Sequence, residues 1–170
     1  MKTGDTTSGM RLLGAGASFR SELIDMMATV EMLSDLDARE LATLAAQLQA
    51  FEAAPGCVIF REGDAGNYMA WLVSGRVRTF KESDADKAAE VSVEGRGRSI
   101  GEMALIDGEP RSATCAAAET SVLLLLTKQG FQDLSARHAA LALKLLMRIT
   151  RLMSRRLRLT SGRLVDLLDN

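Results

Sequence analysis

Apolar positions along the chain change their period twice, and the two changes divide it into three parts. From Phe19, the residues Leu23, Met26, Met27, Val30 and Leu33 recur at helical spacing. Asp37 opens a second helix, because its carboxylate can cap the first turn while Glu40 reaches back. Leu41, Leu44, Ala45 and Leu48 form the stripe of that helix, and Pro55-Gly56 ends it. Between Cys57 and Leu126 the period shortens to that of strands. The predicted strands are Cys57 to Phe60, Met69 to Val73, Val77 to Phe80, Val91 to Val93, Ala113 to Ala118 and Val122 to Leu126. Turns fall at Glu62-Gly63-Asp64, Ser74-Gly75 and Gly95-Arg96-Gly97-Arg98, and a charged, Ala-rich connection runs from Lys81 to Glu90. Thr127 then caps a short helix that passes Phe131 and Leu134 and ends near Ala136. His138 starts one long helix whose only glycine is Gly162.

Short strands with regular turns predict a small antiparallel sandwich or jelly roll, with helices before and after it. The chain divides into a disordered arm over residues 1–18, a helical lead-in and β-roll over 19–136, and a long lid or dimerisation helix over 137–170. The arm is rich in Gly, Ser and Thr and shows no period. In the last helix, Leu146, Ile149, Met153, Thr160 and Leu167 recur at steps of a coiled-coil seam, with Arg156 and Arg163 filling the gaps. The seam predicts a homodimer through this helix; an amphipathic helix packed only on its own domain is the alternative.

Composition narrows the function classes. A net charge of −1 over 170 residues argues for no particular partner. No apolar run approaches the length of a membrane span, and the first residues lack the apolar core of a secretory leader. Two cysteines, Cys57 and Cys115, without metal-like spacing, read as small buried hydrophobes in a reduced, cytoplasmic protein. His138 is the only histidine and falls outside the strands, so metal-dependent catalysis of the kind jelly rolls host fails for want of ligands. Arg148, Arg151, Arg155, Arg156, Arg158 and Arg163 form a basic face on the long helix. With no recognition helix and no aromatic stacking platform, that face reads as solvated or protein-docking, not as a direct reader of DNA.

The stretch from Ile100 to Thr114 carries the candidate chemistry. Gly101 lets backbone approach a ligand, and Glu102-Met103-Ala104-Leu105 can form a single helical turn whose N–H groups attract an anion. Arg111 supplies a fork of charged donors, and Glu102 an acceptor for a hydroxyl. Ser112 can donate to a phosphate, or to a guanine lying over it.

This order of elements resembles the cyclic-nucleotide-binding domain family over roughly residues 32–168. The most specific part is Gly101-Glu102-Met103-Ala104-Leu105 followed by Pro110-Arg111-Ser112-Ala113-Thr114, which is similar to the family's phosphate-binding cassette. Gly56, Gly63, Gly75 and Gly97 stand where the family's turns fall, while Ile100 stands where the family often has Phe. The resemblance implies a jelly roll (double-stranded β-helix) in an α+β, mainly β, fold. It places the cyclic phosphate on Arg111, with backbone N–H groups of Gly101, Met103, Ala104, Ser112 and Ala113, and the ribose 2′-hydroxyl on Glu102. The run Leu146-Met147-Arg148-Ile149, Met153, Arg155-Arg156-Leu157, Leu159-Thr160-Ser161 resembles the dimer helix of the catabolite activator protein family. By that likeness Thr160 and Ser161 reach the base, one of them from the partner subunit. That family continues into a helix-turn-helix about where this sequence reaches Asn170. The expectation is therefore a stand-alone, non-catalytic sensor of cyclic AMP, with cyclic GMP second, that needs no cofactor and acts on an unidentified protein partner. Two alternatives stay open: a degenerate domain kept for dimerisation or protein interaction, and a transcription-regulator partner lacking its own DNA reader.

Overall fold

The computed structural model describes residues 9–81 and 89–168 and divides into two compact units, one running to Asp133 and the other from Leu134. The first unit opens with β1 (Arg11–Ala15), a 3₁₀ turn (Gly16–Phe19), α1 (Arg20–Met27), a second 3₁₀ turn (Glu31–Leu33) and α2 (Ala38–Ala45). The strands β2 (Leu48–Ala53), β3 (Val58–Phe60), β4 (Tyr68–Ser74), β5 (Val77–Lys81), β6 (Ala89–Glu94) and β7 (Ser99–Ile100) follow. Then come α3 (Glu102–Asp107), β8 (Thr114–Ala117), β9 (Ser121–Thr127) and α4 (Lys128–Arg137), which crosses into the second unit. The second unit is otherwise α5 (Ala139–Leu168).

The strands form two antiparallel sheets, ordered β1-β2-β9-β4-β7 and β3-β8-β5-β6. The jelly-roll fold is thus present, flanked by the predicted helices. One apolar cluster lies between the sheets, with Phe51, Tyr68, Ala70, Leu72, Leu123 and Leu125 from one and Ile59, Val77, Cys115 and Ala117 from the other. Alternation along a strand turns the intervening residues to the opposite face. Met69, Trp71, Leu124 and Leu126 are also fully buried, and α1 packs against β9. This sheet is covered on both faces, so β4 and β9 read as continuous apolar runs rather than alternating ones.

Several boundaries differ from the sequence reading. Residues 11–15 are not part of a disordered arm but a strand paired with β2, Arg11 opposite Glu52 and Leu12 opposite Phe51, with an Arg11–Glu52 ion pair of 2.8 Å. An edge strand satisfies its backbone through its neighbour and needs little apolar pattern of its own, which is why Arg-Leu-Leu-Gly-Ala gave no signal. Residues 1–8 lie outside the described residues, as do 82–88 of the charged connection. Leu48, expected at the end of a helical stripe, opens β2, whose Leu-Gln-Ala-Phe-Glu-Ala sequence favours helix locally. Pairing with the leucines of β9 in register (Leu48 with Leu126, Ala50 with Leu124) overrides that preference. The first predicted helix stops at Met27, because Val30 is extended (φ −99°, ψ 102°) before the next 3₁₀ turn. The caps fall as read: Asp37 and Glu40 form a reciprocal capping box, and Thr127 Oγ1 accepts from the Gly130 N–H at 3.0 Å.

Candidate functional site

The site is assembled where β7 hands the chain to α3. β7 pairs with β4, Ile100 opposite Ala70, and delivers Gly101 at the end of the strand. Gly101 adopts φ 73°, a left-handed conformation costly for a residue with a Cβ, and caps α3. A Cβ there would lie 2.3 Å from Arg111 Nη1, so the position demands glycine for space as well as for conformation. On α3, Glu102, Ala104 and Leu105 turn inward and Met103 and Ile106 outward. Gly66 explains the inward seat: a Cβ on it would stand 2.0 Å from that of Ala104.

Arg111 comes from the loop after α3 and is clamped by its backbone. Its N–H donates to Asp64 O at 2.8 Å, and its carbonyl accepts from the Gly63 N–H at 2.9 Å. The turn that does this is itself closed by the Arg61 N–H donating to Asp64 Oδ2 at 2.9 Å. The side chain then runs inward until only 3% of the residue is exposed. Nη1 donates to Gly101 O at 2.9 Å and Nη2 to Tyr68 O at 2.6 Å. The guanidinium carbon lies 4.2 Å from the Phe60 ring centroid and 4.7 Å from that of Tyr68. Nε has no hydrogen-bond partner among the described residues. A guanidinium carries five N–H donors, so these two bonds leave it further capacity for an anion.

Electrostatics agree with the geometry. Burial pulls the Arg111 pKa down, and the acidic groups of Tyr68, Cys115, Asp64 and Glu102 oppose that pull. A guanidinium starts so high that it stays charged. Glu102, also 3% exposed, is thus a buried acid next to the glycine that faces a buried cation. Burial raises Tyr68 to about 12, so its hydroxyl stays protonated and donates to Ile59 O at 2.7 Å. Cys115 is pushed to about 12 by burial, which makes it an inert part of the core, as read from the sequence. Cys57 is half-buried, with burial raising its thiol and Sγ donating to Gly9 O at 3.2 Å.

The structure brings Gly101, Glu102, Met103, Ala104, Arg111, Ser112 and Ala113 into one region of the first unit. Ser112 is exposed, with Oγ 4.0 Å from Met103 Sδ, and Ala113 is half-buried. Thr160 and Ser161 belong to the second unit; both are exposed on α5, and Thr160 Oγ1 donates to Arg156 O at 3.0 Å. Sequence reasoning missed Phe60, Tyr68, Gly66 and Asp64, which hold Arg111 and α3 in place. It also missed Lys81, whose Nζ donates to Ser112 O at 2.9 Å and Glu62 Oε1 at 3.1 Å. These residues act through long-range contacts, and only the Glu62-Gly63-Asp64 turn was visible as a turn. Among the described residues no group of acids, histidines or cysteines is arranged to hold a metal ion, and no helix is long and apolar enough to cross a membrane.

Comparison with known proteins points the same way. The sequence profile of the cyclic nucleotide-binding domain matches residues 50–138. A cyclic nucleotide-gated potassium channel of Rhizobium etli is 36% identical over 117 residues, which is 69% of this chain and 31% of the channel. The chain therefore spans about a third of the length of the curated relatives it matches first. Among solved structures, a cyclic nucleotide-binding domain from Methylobacillus flagellatus superposes with a TM-score of 0.82 at 26% identity, covering 96% of this chain and 92% of that one. The catabolite activator protein of Thermus thermophilus superposes with a TM-score of 0.70 at 29% identity, covering 81% of this chain and 62% of that one.

Proposed function

Because the chain belongs to the cyclic nucleotide-binding domain family, we propose that it is a receptor for a cyclic mononucleotide, cyclic AMP before cyclic GMP, and that it senses its ligand without catalysis. The observation that carries this reading is Arg111: a buried cation, aimed by its surroundings and still holding unused donors, beside the buried acid Glu102. A buried cation and a buried acid in one site suit a ligand that carries both an anion and hydroxyls. The cyclic phosphate takes Arg111 and the backbone N–H groups of Gly101, Met103, Ala104, Ser112 and Ala113, and the ribose 2′-hydroxyl takes Glu102. α5 closes over the base through Thr160 and Ser161 in a homodimer, and this contact is what favours adenine. For such closure to act as a switch, the ligand must bind one arrangement of α5 better than the other.

A second reading has one observation in its favour. Both Nη nitrogens of Arg111 already donate to carbonyls of the protein itself, as they would in a domain kept for dimerisation or protein interaction alone. Thermal melting separates the two. A ligand at about 100 times its Kd stabilises the native state by about 2.7 kcal/mol, so cyclic AMP should raise Tm clearly and cyclic GMP less. A melting curve indifferent to both nucleotides selects the interaction module.

A further inference from the structure

We propose that Phe60 and Tyr68 are positioning residues of the phosphate site: their rings form a corner that fixes the orientation of the Arg111 guanidinium. The proposal rests on the reading of Arg111 as the phosphate-binding group. The two rings arrive from different sheets, Phe60 from the end of β3 and Tyr68 from the start of β4. Their centroids are 6.3 Å apart and their planes meet at 69°, so they stand as two walls and not as a parallel stack. The guanidinium carbon sits 4.2 Å from one centroid and 4.7 Å from the other. The walls are braced against each other, because Tyr68 Oη donates to the carbonyl of Ile59, the residue before Phe60, at 2.7 Å.

The chemistry of the corner suits an arginine that must meet an anion. An aromatic face attracts a cation through its quadrupole, yet it carries no net charge to repel an incoming phosphate. A carboxylate in the same place would form a charged fork with the guanidinium and compete with the ligand. The carbonyls of Gly101 and Tyr68 each take one N–H, at 2.9 and 2.6 Å, and set the rotation of the group in its plane. The rings set its tilt. What emerges is a cation held by neutral groups, with its orientation decided before the ligand arrives, which lowers the ordering cost of binding. A leucine of similar bulk at position 60 fills the space but supplies no quadrupole.

The test is a double-mutant cycle read by calorimetric titration with cyclic AMP. Phe60→Leu should weaken binding about tenfold, whereas Phe60→Tyr and Tyr68→Phe, which keep the rings, should stay within about threefold. In an Arg111→Ala background, where no cation remains to be oriented, Phe60→Leu should change affinity by less than about twofold. A merely structural ring would produce the same loss in both backgrounds, and that result overturns the proposal. So does a Phe60→Leu protein that binds like the native one. Phe60→Ile carries the same comparison if Leu prevents folding. Failure of the native protein to bind cyclic AMP or cyclic GMP overturns the underlying reading instead, and is seen before any variant is made.

Discussion

Arg111 and the arginines of α5 place the same side chain in opposite circumstances. Arg151, Arg155 and Arg158 stand exposed on a helix that carries no carboxylate from Ala139 to Gly162. Arg111 is 3% exposed, with its backbone clamped by Gly63 and Asp64, its nitrogens on two carbonyls and its face against two rings. A cation in water keeps its hydration and its freedom, and pairing it gains little. A buried one has already lost both, so a charged partner is worth more to it. What sets Arg111 apart is thus its frame and not its charge, and counting cations along the sequence would have pointed to α5 instead.

The sharpest way to break this contrast is to remove one arginine from each region. Arg111→Ala should weaken cyclic AMP binding by about 10- to 150-fold, the equivalent of about 1.5–3 kcal/mol for a charge-assisted bond, in competition with a fluorescent analogue. Arg151→Ala should leave affinity within about twofold. Equal losses would erase the distinction.

The neutrality of the frame can be probed by pH. Tyr68 has its folded pKa raised to about 12 from an ordinary 10.0, so its contribution to stability is complete below pH 10 and is lost as pH rises towards 12. Cys115, raised to about 12 from 9.0, adds a loss of the same sign that begins lower. Urea denaturation of the native protein and of Tyr68→Phe should therefore diverge in slope between pH 10 and 12, by on the order of 2–3 kcal/mol in total. Parallel curves would mean that Tyr68 is not held protonated by its burial.

Gly101→Ala tests the close approach. A left-handed alanine costs about 1–2 kcal/mol, and its Cβ meets Arg111 Nη1, so both Tm and cyclic AMP affinity should fall. Asp37→Ala is the smallest effect and the control. Losing the α2 capping box should cost about 1 kcal/mol of stability and leave affinity unchanged. A change in affinity with Asp37→Ala would show that stability alone governs binding.

Much of this was legible in the sequence, for identifiable reasons. The capping box at Asp37 and Glu40, the Thr127 cap and the strands at Tyr68–Ser74 and Ser121–Thr127 are set by local chemistry or by long apolar runs. That Gly101, Glu102 and Arg111 come together was legible because a short ordered motif carries them. β1 and β2 were not, since one takes its order from a neighbouring strand and the other has helix-favouring residues overruled by β9. The frame of Arg111 was also hidden. Phe60 and Tyr68 lie eight positions apart in different sheets and meet Arg111 only through the fold, so no spacing rule could join them.

The proposed receptor stands or falls on whether this buried, framed arginine receives a cyclic phosphate. Isothermal titration of the native protein with cyclic AMP tests it most directly. Saturable binding of one nucleotide per chain, tighter than for cyclic GMP, is the expected result; absence of binding to both would overturn the assignment.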